Sequence, residues 1–247
     1  MITTCEKIVA DIPCFEIAEV GEEPLAELLL YHGWGSNAEK QRFRGQLLAA
    51  FGYRVIVPEI PGHGVRGALA YDGPQAALDF LRVLLQSIGE CVELAQAVFH
   101  PGRAHFLVGH SLGGMIALGA LTPLARALTG VVAMNSTANW ADATAALAGV
   151  FCDDGGAALA ALASDEGEKL RSALDAFDPA RWSARGITTP VLLTNGSLDQ
   201  TLPASLNADF LARHDFAQMQ QVVIEDAGHV VTDSALREVV AFIESHR

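Results

Sequence analysis

The segment Gly109-His110-Ser111-Leu112-Gly113-Gly114 restricts the fold more than any other stretch of this chain. A mainly apolar run, 104–108, precedes it and the apolar run 115–121 follows, so the order reads strand, sharp turn, helix. A serine on such a turn is thrust out of the backbone with a helix N-terminus directly behind it. Gly109 and Gly113 matter sterically, because a side chain at either place would collide with the neighbouring strand or helix. The pattern is that of a nucleophile elbow, and it makes Ser111 the candidate attacking group. A glycine-rich connection carrying an incidental serine has the same six letters, so the partners elsewhere in the chain decide between the two.

A serine hydroxyl is a poor nucleophile near neutral pH and needs a base to take its proton. The base in turn needs a carboxylate that orients it and stabilises the imidazolium. His229 lies just past the apolar run 221–224 and before a helical pattern, in the loop where such a base belongs. Asp199 follows the apolar run 191–194 directly and is the favoured orienting carboxylate. Asp226 competes, but it is so close to His229 in sequence that the orienting geometry is awkward. Negative charge developing on a carbonyl oxygen also requires backbone N–H groups aimed at it. Leu112, at the start of the elbow helix, offers one. Trp34, in His32-Gly33-Trp34-Gly35, offers the second from a loop where glycines permit a tight approach.

The remaining pattern supports an α/β architecture. Short apolar stretches at 7–10, 14–20 and 25–31 open the chain, and Gly21-Glu22-Glu23-Pro24 reads as a hairpin turn between the last two. A helix is expected over 38–51 and a strand over 53–57. A long helix follows Asp72-Gly73-Pro74, its apolar face drawn by Leu78, Leu81, Leu85, Ile88, Val92 and Ala95. The second half alternates strand and helix, the mark of a parallel sheet with helices on both faces. The alanine-rich stretch 138–185, with Asp153, Asp154, Asp165, Glu166 and Glu168, breaks the rhythm and reads as a small helical insertion within one domain. Trp34, Met115, Met134 and Trp140 are candidate pocket walls. His110 reads as a structural neighbour of the elbow, and His63 as a hydrogen-bonded loop anchor rather than a base. Arg66 suits either an acidic substrate group or the surface.

Composition narrows the function classes. A formal net charge of -13 and no basic run argue against nucleic-acid phosphates and anionic membranes as partners. The four cysteines, at 5, 14, 91 and 152, lack paired metal-ligand spacing and read as free thiols in a reducing compartment. The N-terminus has no basic start followed by an apolar stretch, and no apolar run reaches the ~18 residues of a membrane span. The expectation is a cytoplasmic enzyme with a small-molecule substrate; oligomeric state is not legible.

Together, His32-Gly33-Trp34-Gly35, Pro58 with the turn through Gly64, the elbow, the stretch from Pro190 to Asp199, and Gly228-His229 resemble the α/β-hydrolase superfamily along nearly the full chain. The loop at 31–35 with 63–67 looks like bacterial esterases allied to the prolyl-oligopeptidase and dienelactone-hydrolase branch. The insertion looks more like the small cap of the lipase-like and C–C-bond-hydrolase branch. The resemblance implies a three-layer αβα fold with an eight-stranded, mostly parallel sheet. It also implies a Ser111–Asp199–His229 triad beneath the cap, and no cofactor. Two departures stand near the pocket rim: Glu59-Ile60 where relatives often have Asp, and Val65-Arg66 where many have serine. The leading expectation is hydrolysis of a carboxylic ester of a small or medium acyl compound. Cleavage of a C–C bond or thioester, and ligand binding without turnover, are the alternatives.

Overall fold

A computed structural model describes residues 1–153 and 155–247, with Thr144 and Ala145 described by backbone alone. Its strands are β1 (Ile2–Val9), β2 (Ile12–Glu19), β3 (Ala26–Tyr31), β4 (Tyr53–Pro58), β5 (His105–His110), β6 (Gly130–Met134), β7 (Val191–Gly196) and β8 (Met219–Ile224). They form one eight-stranded sheet in the order β1-β2-β4-β3-β5-β6-β7-β8. Strand β2 runs antiparallel to both β1 and β4, and every pairing from β4 to β8 is parallel. Strands β3, β6 and β7 are buried at every residue, as parallel strands covered on both faces must be.

Helices α1 (Ala38–Ala49) and α8 (Asp233–His246) cover one face of the sheet. Helices α2 (Pro74–Val98), α3 (Leu112–Leu124) and α7 (Ala204–Arg213) cover the other, completing three layers. Between β6 and β7 stand α4 (Trp140–Phe151), α5 (Gly156–Leu162) and α6 (Asp165–Leu174), followed by short 3-10 turns up to Arg185. These occupy the stretch expected as an insertion; Asp154 lies outside the described residues. They pack on α2, and α3 runs beneath them, which explains why α3 is apolar around its whole circumference.

Two expectations need correction and one needs widening. The tight hairpin joins β1 to β2 through Ala10 and Asp11, both with positive φ (48° and 62°), and not β2 to β3. Gly21 to Pro24 instead crosses to β3, which lies two places away from β2, beyond β4. The buried face of α2 is wider than the expected stripe: Leu78, Ile88 and Ala95 of the stripe are buried and Leu81, Leu85 and Val92 half-buried against the same core, while Ala77, Phe80, Leu84, Cys91 and Leu94 are buried as well. This helix is sandwiched between the sheet layer and the insertion, so its two contact faces together outweigh a single stripe. Met134 is no pocket wall. Side chains alternate across a strand, so Val132 and Met134 join the core under α1 and α8 while Val131 and Ala133 face α3. No helix among the described residues is long and apolar enough to cross a membrane.

Because β3 to β8 run parallel, their C-terminal ends share one edge of the sheet. The loops carrying Trp34, Ser111, Asp199 and His229 all leave from that edge.

Candidate active site

Ser111 occupies the turn between β5 and α3 with φ 55° and ψ -118°, a strained conformation for a residue with a side chain. The surroundings impose it. Its N–H donates to Met134 O (2.9 Å), and its carbonyl accepts from Ser136 Oγ (2.8 Å) and from the N–H groups of Gly114 and Met115 (2.9 and 3.1 Å). A Cβ on Gly109 would lie 2.0 Å from Gly113 O, and one on Gly113 would lie 2.5 Å from Tyr31 O. These close approaches let the strand, the helix and the end of β3 meet around the serine.

His229 and Asp199 converge on it from two other loops. His229 Nδ1 is 2.7 Å from Asp199 Oδ2, and His229 Nε2 is 2.9 Å from Ser111 Oγ. The second carboxylate oxygen of Asp199 accepts the N–H groups of Thr201 and Leu202 (2.9 and 3.0 Å). Both oxygens are therefore engaged, and the carboxylate is fixed in rotation. With Nδ1–H donated to it, Nε2 is the nitrogen left to accept the serine proton. Asp226 is exposed on a left-handed turn (φ 57°), and it is Asp199 that bonds the imidazole.

Two further residues hold the His229 loop, and one of them, Asn135, carries no motif that marks it. Placed at the end of β6 with φ 44°, it donates Nδ2–H to Gly228 O (2.7 Å) and lies 3.3 Å from Val230 O. His110 Nε2 lies 3.3 Å from His229 O and donates to it. A polar residue at a strand end carries no signature that distinguishes such a clamp from an ordinary loop.

The loop of one expected oxyanion donor, Trp34, packs against the elbow that carries the other, Leu112. Gly33 backs directly on the elbow, since a Cβ there would lie 3.2 Å from Ser111 Cβ. In that loop Gly35 N–H is taken by His63 Nε2 (3.2 Å) and Ser36 N–H by Gly33 O (3.1 Å). Among the described residues, no acceptor takes the N–H of Trp34 or of Leu112. The Trp34 indole is pinned by a bond from Nε1 to Tyr71 O (3.0 Å).

A cavity of about 440 Å³ lies between α2, α3 and the insertion, and none of Ser111, Asp199 and His229 lines it. Phe80, Leu84, Met115, Trp140, Leu147 and Phe151 line it, with Arg171, Asp175 and Asp178 at one side. Burial pushes the Asp178 carboxyl above its ordinary range. Met115 is one helical turn beyond Ser111. Trp34 does not line the cavity but packs edge-on against Phe80 and Phe151, at 5.4 and 6.1 Å between ring centroids. Arg66 is held in a two-pronged ion pair with Glu90 (2.6 and 2.8 Å) and so ties its loop to α2. Among the described residues no three His, Cys, Asp or Glu side chains converge as a metal ligand set.

Burial lowers the imidazoles of His63 and His110 to about 4, so both stay neutral near pH 7. The consequence for stability has a definite sign. Between about 6.5, the ordinary histidine value, and about 4, the unfolded chain takes up protons that the folded protein refuses. Stability is therefore expected to fall as pH drops through that window, by up to about 1.4 kcal/mol per pH unit for each histidine. Thermal unfolding at pH 7, 6 and 5 checks this, with His63→Gln expected to flatten the slope. A midpoint unchanged down to pH 5 would contradict it.

Known proteins share this architecture. Residues 28–242 match the sequence profile of the alpha/beta hydrolase family. The Escherichia coli (strain K12) esterase YjfP is 33% identical over an alignment of 128 residues that covers 48% of this chain and 49% of that protein. The match thus spans about half the length of that curated relative. TT1662 from Thermus thermophilus superposes with a TM-score of 0.78 at 24% identity, over 99% of this chain and 98% of its own. An acetyl xylan esterase from Paenibacillus sp. R4 superposes with a TM-score of 0.71 at 18% identity, over 100% of this chain and 84% of its own.

Proposed function

The chain belongs to the alpha/beta hydrolase family, and from that premise we propose that it hydrolyses carboxylic esters of small or medium acyl compounds through an acyl-enzyme on Ser111. The observation that carries this reading is the unbroken relay from Ser111 Oγ to His229 Nε2 and from Nδ1 to Asp199, at 2.9 and 2.7 Å. Ser111 Oγ attacks the ester carbonyl as His229 takes its proton, and the imidazolium so formed is stabilised by Asp199. The oxygen that gains charge is received by the N–H groups of Trp34 and Leu112. His229 then protonates the departing alcohol, the ester C–O bond breaks, and a water deprotonated by the same nitrogen releases the acid. The names of the esterase relatives support ester over amide substrates.

The test is labelling with a fluorophosphonate probe together with turnover of p-nitrophenyl butyrate. Purified protein is expected to do both, with the label on Ser111. An unlabelled protein, or a label that persists in Ser111→Ala, would overturn the reading and favour a binding protein of the same fold.

The cavity beside Met115 suggests an apolar substrate group. At roughly 30 Å³ per water-sized group, its volume admits on the order of ten to fifteen heavy atoms. Each methylene buried there is worth about 0.8 kcal/mol, so kcat/KM is expected to rise about fourfold per methylene from acetate toward octanoate. Ala143 lines the same cavity, and Ala143→Leu is expected to shift the optimum to shorter chains. A flat chain-length series in the unaltered protein would exclude the cavity as the subsite.

A further inference from the structure

The loop from His32 to Ala38 is stapled at three points by the turn that follows β4. Glu59 is almost wholly buried, and its Oε1 lies 2.9 Å from His32 Nε2 at the start of the loop. The same oxygen accepts the N–H of Ala38 (3.0 Å) at the loop's end. In the middle, His63 Nε2 accepts the N–H of Gly35 at 3.2 Å. His63 is itself fixed, because its Nδ1–H donates to Pro61 O (2.9 Å) and its ring packs edge-on against Trp34, 5.1 Å between centroids. Burial alone would raise the Glu59 carboxyl, but the bonds from His32 and from the Ala38 and Val65 amides outweigh it and hold it ionised. None of these groups reaches the reacting atoms. What they fix is the loop that carries the peptide between Gly33 and Trp34, whose N–H has no acceptor among the described residues.

We propose that His63 and Glu59 are positioning residues for the oxyanion donor at Trp34: His63 occupies the Gly35 amide and Glu59 clamps both ends of the loop, so that the Trp34 N–H turns toward the serine. This rests on the ester-hydrolase reading above. A donor displaced by a fraction of an ångström stabilises the tetrahedral intermediate less while leaving ground-state binding nearly unchanged, so the loss belongs in kcat and not in KM.

The experiment compares the unaltered protein, His63→Leu, His63→Gln and Glu59→Gln on p-nitrophenyl butyrate, with phenylboronic acid as a tetrahedral-adduct inhibitor. Leucine removes the acceptor for Gly35 N–H, whereas the glutamine Oε1 can take the place of the ring nitrogen. His63→Leu is expected to lose roughly 10- to 100-fold in kcat with KM within about threefold, and to bind the boronate more weakly by a similar factor. His63→Gln is expected to recover most of both. Should His63→Leu not fold, Glu59→Gln carries the same test, with about a tenfold loss in kcat and in boronate affinity expected. A folded variant that keeps kcat and boronate affinity within about twofold, or loses only KM, overturns the positioning role. If the unaltered protein neither turns over the ester nor takes the fluorophosphonate label, the hydrolase reading fails first, and that is visible before any variant is made.

Discussion

Replacing Ser111 by alanine is expected to lower kcat for p-nitrophenyl butyrate by about a million-fold, with the protein still folded. The size follows from the arrangement. Among the described residues the hydroxyl, at 2.9 Å, is the hydrogen-bond partner of His229 Nε2. His229→Ala should fall about as far, because an attacking oxygen that keeps its proton gains little from a well-placed carbonyl. The double variant should be no worse than either single one, since the two residues act as a unit. Asp199→Asn is expected to lose about ten-thousand-fold through the wrong imidazole tautomer. Steady-state kinetics with circular dichroism as a folding control measure all four. Ser111→Ala retaining more than about a hundredth of the activity would exclude Ser111 as the nucleophile.

The second large effect concerns the elbow itself. Gly109→Ala would set a Cβ 2.0 Å from Gly113 O, 2.1 Å from its carbonyl carbon and 2.5 Å from Gly114 N. All three atoms are backbone, so no side chain can swing aside. Either α3 moves off β5 or the turn opens, and both carry Ser111 away from His229. A destabilisation of about 3 kcal/mol or more is expected, which lowers the thermal midpoint by roughly 10 °C in a protein of this size. A displacement of about 1 Å also costs around a hundredfold in kcat. A variant with an unchanged midpoint and unchanged kcat would show that the contact at Gly109 does not set the serine's place.

What could be read in advance was whatever has a local chemical signature. The strand–turn–helix at Ser111, and the loops carrying Asp199, His229 and Trp34, each follow an apolar run that can only be a buried strand. Their order along the chain then places them at one edge of a parallel sheet. What could not be read depended on contacts between distant elements. The β1–β2 turn uses Ala10 and Asp11 rather than glycines, so nothing marks it, while Gly21 and Pro24 advertise a hairpin that the strand order does not use. Met134 reads as a candidate pocket wall in sequence, yet the two-residue period of its strand sends it to the opposite core. The clamps of Asn135 on Gly228 and His63 on Gly35 join residues 93 and 28 positions apart, a distance over which sequence pattern says nothing.

The insertion enters the fold through a different set of bonds from those that hold the reacting groups. Asn207 on α7 accepts the N–H of Ala138 and donates to Ser136 O and Asn195 Oδ1, all within 2.9 Å. The relay is braced instead by Asn135, His110 and the N–H groups of Thr201 and Leu202. The two sets meet at Ser136, whose carbonyl accepts from Asn207 and whose hydroxyl donates to the Ser111 carbonyl, and are otherwise distinct. The helices over the cavity can therefore be lengthened, shortened or re-lined without replacing any residue that bonds to Asp199 or His229.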